Sequence, residues 1–382
     1  MTAPTPASSS SRRLLAVDAL RGVAALAVVF FHLQAALDRG PQAWMPALLG
    51  DLFRAGHYGV NVFFVLSGFV IASSVRDGDW TPAFLARFTL RRSVRLDPPY
   101  WVAIALECGL ILAGLRLFPS LATPIPTPAQ IAAHLAYAQD LLGYGHILPI
   151  FWTLCYEFQF YIVLVGLLVI YRTLERRAGV RTAGTLMAAL CGGLFVLSVV
   201  VHHGLVPPAP RGVALDRWHQ FFIGALAWWV VSGRVALPVL AGAGAVIAVL
   251  SRRPDAPAEL AIMVVTSSLC MLSVRRPDLD RHFAWRPLQF LGTISYSLYL
   301  YHASVGWRAL SLAQRTWGMS LPPLVGVTAW LLSLVLVLAV ATALWWLVER
   351  PSMRLARRVT LPRRSAPVPE PPHLTEPSAP AR

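Results

Sequence analysis

The sequence has no lysine and little charge of either sign. All 33 basic residues are arginine, 18 residues are acidic, and charged residues make up 13% of the chain. A soluble domain carries about 25% charged residues and about 45–50% apolar ones. Here 56% are hydrophobic and the mean hydropathy is +0.59, which excludes an ordinary soluble domain. Cysteine is also scarce. Cys108, Cys155, Cys191 and Cys270 all lie in apolar stretches, with neither metal-ligand spacing nor a disulfide framework. They read as packing residues, and no metal site is expected. A net charge of +15 would suit nucleic acid if it formed one patch. The arginines are instead dispersed through segments between apolar stretches, so no nucleic-acid partner is expected.

What the chain has is long apolar stretches, recurring from residue 14 to residue 347. A membrane span needs roughly 20 apolar residues, and lipid leaves no backbone group unsatisfied, so such stretches fold as helices. A membrane barrel would show short alternating segments instead. Spans are expected at 14–37, 57–75, 98–117, 148–171, 183–203, 214–232, 235–250, 259–274, 287–307 and 322–347. The fold class is therefore all-α, a polytopic membrane helix bundle of about ten transmembrane helices.

Residues 1–11 read as a polar, disordered tail, residues 12–351 as one transmembrane domain, and residues 352–382 as a basic, then Pro-rich, disordered tail. The first stretch contains Arg21 and lacks a small-residue cleavage site, so it reads as a retained span. The longest loop, 118–147, carries an amphipathic piece at 131–142 that either lies in the interface or re-enters the membrane. Arginines concentrate on the side holding the N-terminus. That places both termini in the cytoplasm and implies an even number of spans.

Ionisable residues inside spans are costly and face a protein interior or a wet cavity. Arg21 and His32 are eleven residues apart in the first span. They fall on one helix face, about 16 Å apart along the axis. Asp18, three residues before Arg21, sits where it can pair with it. Arg91, Arg92 and Arg95 precede the third span, where guanidinium groups bind phosphates or simply anchor the helix. Glu157 opens the fourth span within FWTLCYEFQFY. It serves as a catalytic carboxylate or as one half of a structural ion pair. Tyr296 and His302 belong to GTISYSLYLYH, whose hydroxyls either bond neighbouring helices or line a cavity.

Together these segments resemble the acyltransferase-3 family of integral membrane O-acyltransferases. AVDALRGVAALAVVFFHL, GVNVFFVLSGFVI, RRSVRLDPPYW, WTLCYEFQFY, GTISYSLYLYH and the terminal VERP follow the family's order across residues 14–351. The resemblance implies a multi-pass protein of the cytoplasmic (inner) membrane. Its donor would be acyl-CoA, most simply acetyl-CoA, and its acceptor a hydroxyl of a carbohydrate or glycosylated natural product. No permanently bound cofactor is implied. By motif position, Arg21 and His32 form the essential pair, Arg92 and Arg95 the Arg-x-x-Arg, and Glu157 the acidic residue of the fourth span. Phe158 stands where many relatives have a second acidic residue. The chain has no room for the extracytoplasmic domain fused to larger relatives, so a separate extracytoplasmic partner is possible.

These expectations assemble into a mechanism. His32 is the base and Glu157 its orienting carboxylate; Arg21, Arg92 and Arg95 hold coenzyme A phosphates; Tyr296 and His302 line the acceptor cavity. The rival is a transporter that uses the same residues as a proton or substrate relay.

Overall fold

The computed structural model describes residues 14–38, 40, 44–117 and 124–362, and among these there are helices and turns but no β-strand. The expected tail at 1–11 lies outside the described residues, as does most of the C-terminal one. Residues 352–356 depart from that expectation: they are helical, with Ser352 and Ala356 buried.

The apolar stretches form α1 (Leu15–Leu37), α3 (Gly59–Ser74), α4 (Pro82–Leu117), α6 (Trp152–His202), α7 (Trp218–Val231), α8 (Leu237–Leu250), α9 (Ala256–Arg275), α11 (Arg286–Trp317) and α12 (Pro323–Leu344). Shorter helices lie between or after them: α2 (Ala47–Arg54), α5 (Pro128–Leu135), α10 (Pro277–Arg281) and α13 (Arg350–Ala356). Six of these helical stretches are long and apolar enough to cross a membrane, by length and composition. The protein is thus an all-helical membrane protein. The two stretches expected at 148–171 and 183–203 run into one another within α6. They are divided by Gly179, whose φ of 82° lies outside the helical region and is open to glycine without a Cβ penalty.

Two crossings set the frame, and both depend on small residues. In lipid, close backbone approach replaces the hydrophobic drive between helices. A Cβ on Gly68 of α3 would stand 1.8 Å from the Phe221 carbonyl of α7, and one on Gly224 would stand 1.9 Å from the Val65 carbonyl. The two helices run parallel: Asn61 bonds Gln220 near one end, and Phe69 packs edge-on against Trp228 toward the other. Helices α1 and α11 cross the same way at Gly22 and Gly292, where a Cβ on Gly292 would stand 2.1 Å from the Asp18 carbonyl. Farther along, the Trp307 indole donates to the His32 carbonyl at 3.0 Å and Gln314 to the Ala36 carbonyl at 3.1 Å.

Helix α4 starts sixteen residues before the expected span and passes through Pro98 and Pro99. Each proline removes a backbone donor. Nearby carbonyls take side-chain donors from α11: Tyr296 donates to the Leu96 carbonyl at 2.9 Å and Tyr301 to that of Pro99 at 2.8 Å. The loop around α5 folds back onto the bundle, with His134 and Gln139 fully buried. There Tyr137 stacks on Tyr100 and donates to Asp97 at 2.9 Å. The first N–H groups of α1, orphaned by the helix start, are capped by buried Asp280, at 3.2 Å from Leu15 and 2.9 Å from Ala16. Asp18 and Arg357 line one cavity, so both ends of the described chain lie at the same end of the bundle.

Candidate active site

Parallel pairing of α1 with α11 brings His32 against His302. His302 Nε2 lies 3.0 Å from His32 Nδ1. His302 Nδ1 faces the carbonyls of Tyr299 at 2.8 Å and Leu298 at 3.2 Å. Carbonyls only accept, so His302 carries its proton on Nδ1 and offers a lone pair at Nε2. His32 Nδ1 must then be the protonated nitrogen, shared between His302 and the Val28 carbonyl at 3.0 Å. This leaves His32 Nε2 with the free lone pair a base requires. The ring is further held between Phe31 and Trp307, with centroids at 4.9 and 5.5 Å.

Beside this pair lies a small chamber of about 80 Å³ between α1, α3, α4, α6 and α11. Arg21, Ser67, Arg92, Arg95, Glu157 and Tyr296 contribute its polar lining. Tyr299 forms the wall shared with the histidines. Its hydroxyl meets Thr153 Oγ1 at 2.7 Å inside the chamber lining, and its ring packs 5.8 Å from that of His302.

Glu157 does not orient His32, as the sequence led one to expect. Its Oε1 accepts from Arg92 at 3.2 Å and from Ser67 at 3.0 Å, and His32 takes its ring partner from α11 instead. Arg92 also lies over the Tyr161 ring at 5.1 Å. His302, expected among acceptor-lining residues, is bonded to His32, whereas Tyr296 does line the chamber.

Toward the chain-end side the chamber adjoins a vestibule of about 790 Å³ lined by Arg76, Arg91, Arg92, Arg95 and Arg357. Arg92 and Arg95 line both spaces. Arg95 also lines a third cavity, of about 440 Å³, with Arg21 and Glu349. Arg21, Arg92 and Arg95, from two helices, therefore converge where the chamber meets the surface. Placing them on a helix rather than in a loop is what aims Arg92 and Arg95 inward, since residues three apart share a face.

Three polar features escaped the sequence reading. Ser67 lies inside an apolar run. Glu349, at the end of a π-helical turn, accepts from the Ser297 amide at 3.1 Å and its hydroxyl at 2.6 Å. Its signal was a carboxylate closing the last apolar stretch. Glu107, buried in α4, holds Arg308 of α11 through two contacts of 2.8 and 3.0 Å. Cys155, Cys191 and Cys270 are buried and free.

The acyltransferase domain family matches residues 14–349. Nodulation protein 10 of Rhizobium leguminosarum bv. viciae is 28% identical over 90% of this chain and 96% of its own length. The exopolysaccharide production protein ExoZ of Rhizobium meliloti is 27% identical over 81% of this chain and 94% of its own. A putative peptidoglycan O-acetyltransferase, YrhL of Bacillus subtilis, is 26% identical over 77% of this chain and 49% of its own. No solved structure gives a significant match.

Proposed function

The chain belongs to the acyltransferase domain family, and from that premise we propose that it moves an acyl group, most simply acetyl, from acyl-CoA to a hydroxyl of a carbohydrate. The observation that carries this reading is the hydrogen-bond chain ending at His32. The carbonyls of Leu298 and Tyr299 fix the tautomer of His302, which fixes that of His32, which leaves Nε2 basic.

His32 Nε2 takes the proton of the acceptor hydroxyl as its oxygen forms a bond to the thioester carbonyl carbon. The tetrahedral intermediate collapses by breaking the carbon–sulfur bond. The proton then passes from His32 to the departing thiolate, giving the ester and free coenzyme A. His302 and the Val28 carbonyl stabilise the transient imidazolium through the Nδ1–H.

The donor's phosphates suit the vestibule, where guanidinium groups offer forked donors to anionic oxygens. Arg92 and Arg95 span vestibule and chamber and so hold the donor at the passage between them. The names of the relatives, one concerned with exopolysaccharide and one with peptidoglycan O-acetylation, favour a carbohydrate acceptor. The arginine bias of the sequence favours a cytoplasmic vestibule in the inner membrane, with about ten crossings and both termini inside.

The test is release of coenzyme A from acetyl-CoA by membranes containing the protein. His32→Ala is expected to lower turnover by about 10²–10⁴-fold. A folded His32→Ala protein with full acyl transfer would refute the mechanism.

A further inference from the structure

The cavity of about 440 Å³ that Arg21, Arg95 and Glu349 share is walled on its other side by the π-helical turn (Trp345–Glu349) and α13. Trp345 comes from the turn, and Arg350, Met353, Arg354 and Arg357 from α13 and its C-terminal end. We propose that this cavity binds the phosphodiester head group of an anionic phospholipid from the surrounding bilayer. Such a lipid is a structural ligand, distinct from donor and acceptor alike.

The charges of the lining are unbalanced. Arg21, Arg95, Arg350, Arg354 and Arg357 stand against the carboxylates of Asp18 and Glu349. Glu349 is engaged by Ser297, whose amide and hydroxyl donate to its Oε2 at 3.1 and 2.6 Å. Among the described residues, Arg350, Arg354 and Arg357 form no ion pair. Arg350 and Arg354 are four residues apart and Arg357 follows three later, so the three share one helix face. Guanidinium groups grouped in this way offer forked donors to the non-bridging oxygens of a phosphate.

The cavity also lies at head-group depth. Trp285, just before α11, and Trp345 and Trp346, just after α12, gather at this end of the bundle. Tryptophan marks the membrane–water interface. Trp285 and Trp346 are exposed, while Arg350 lies over the Trp345 ring, 5.7 Å from its centroid. Toward the membrane interior, α12 presents Leu331, Leu332, Val335 and Leu336 as an exposed apolar face, and Leu347 continues it to the cavity. Acyl chains can follow that face while the head group enters among the arginines. Basic pockets between membrane helices hold anionic head groups in this manner.

The donor vestibule does not account for these groups. Trp345, Arg350 and Arg354 line neither it nor the chamber. Met353 and Arg357 wall both the vestibule and this cavity. A head group bound here therefore braces the helix that lines the vestibule, from the side the donor does not occupy.

Native mass spectrometry of the full chain, purified in a neutral detergent, tests this. The probes are phosphatidylglycerol, phosphatidylcholine, glycerol phosphate and coenzyme A. Phosphatidylglycerol is expected to bind about tenfold or more tightly than phosphatidylcholine. Arg350→Gln with Arg354→Gln should weaken it about tenfold or more, and Arg354→Gln alone, at an exposed position, should weaken it without risk to folding. Arg358→Gln, which removes the same charge outside the cavity, should leave it unchanged. Equal binding of the two lipids, or an equal loss in Arg358→Gln, would overturn the proposal by showing a general charge effect. Glycerol phosphate binding as tightly as the lipid would reassign the cavity to soluble phosphates. Displacement of phosphatidylglycerol by coenzyme A would place the cavity in the donor site and overturn the proposal equally.

Discussion

His302 Nε2 and His32 Nδ1 stand 3.0 Å apart, joining α11 to α1 beside the central chamber. The contact follows from helix geometry: the parallel crossing at Gly22 and Gly292 sets the register, and ten residues beyond it on each helix the two histidines meet. In the mechanism proposed above, His302 is a positioning residue that acts through His32. Replacing it with Leu removes the acceptor for the His32 Nδ1–H while keeping an apolar side chain. His302→Leu is expected to lower kcat for acyl transfer about 10–100-fold with little change in KM for acyl-CoA, the size of effect that loss of a ring N–H partner has at metal-bound imidazoles. His302→Gln, whose amide oxygen can accept the same hydrogen bond, should recover most of the loss. A loss confined to KM, or no rescue by Gln, would count against the positioning role.

The frame of this site was readable in the sequence, because hydropathy reports the cost of exposing polar groups to lipid. Each expected apolar stretch largely overlaps a helix, and Arg21, His32 and Glu157 stood out as exceptions to the pattern. What the sequence withheld was pairing. Glu157 meets Arg92 and Ser67 across three helices, and Glu107 meets Arg308 across two hundred residues. No periodicity encodes such contacts. The start of α4 was misplaced for a physical reason: a proline disfavours helix in the residue before it, so Pro98 reads as a boundary. The tyrosine hydroxyls of α11 at the Leu96 and Pro99 carbonyls come from tertiary structure.

Arg92 and Arg95 should differ in their effects. Arg92 is bonded to Glu157 and stacked on Tyr161, so its removal leaves a half-buried carboxylate without its cation. Arg95 lines three cavities. Arg95→Ala is expected to raise KM for acyl-CoA about tenfold, an effect that shrinks at high salt as phosphate contacts are screened. Arg92→Ala should lower both expression and turnover, and Arg92→Ala with Glu157→Gln should restore expression better than activity. Unchanged donor dependence in Arg95→Ala would remove it from the donor site. Steady-state kinetics at two ionic strengths with quantitative immunoblotting decide the matter.

The crossing of α3 and α7 makes a sharp stability prediction. A methyl group at Gly68 would fall 1.8 Å from the Phe221 carbonyl, which cannot move without displacing α7. Gly68→Ala is expected to cost about 1–3 kcal/mol, the usual range for overpacking. Gly166→Ala on α6, where nothing lies within 4 Å, should be neutral or slightly stabilising. Thermal unfolding of the two variants in one detergent compares them directly. Equal midpoints would show that the helices do not meet as closely as described.

His134 gives the loop around α5 a defined response to acid. Its Nδ1–H donates to the Gln130 carbonyl at 2.8 Å, and its Nε2 accepts from the Ile147 amide at 3.0 Å. Only the neutral ring can do both, and burial holds the group below its usual imidazole value of 6.5. The folded state thus binds the proton less readily than the unfolded one. The stabilisation is fully present above a pH of about 6.5 and is lost as pH falls toward the depressed folded value. Hydrogen exchange of the Ile147 amide, corrected for its intrinsic pH dependence, should show weaker protection at about pH 5.5 than at about pH 7.5. His134→Gln, whose side-chain oxygen can still accept from Ile147 but does not titrate, should flatten that difference. Protection that is equal at both pH values in the unmodified protein would mean that the imidazole does not hold this loop.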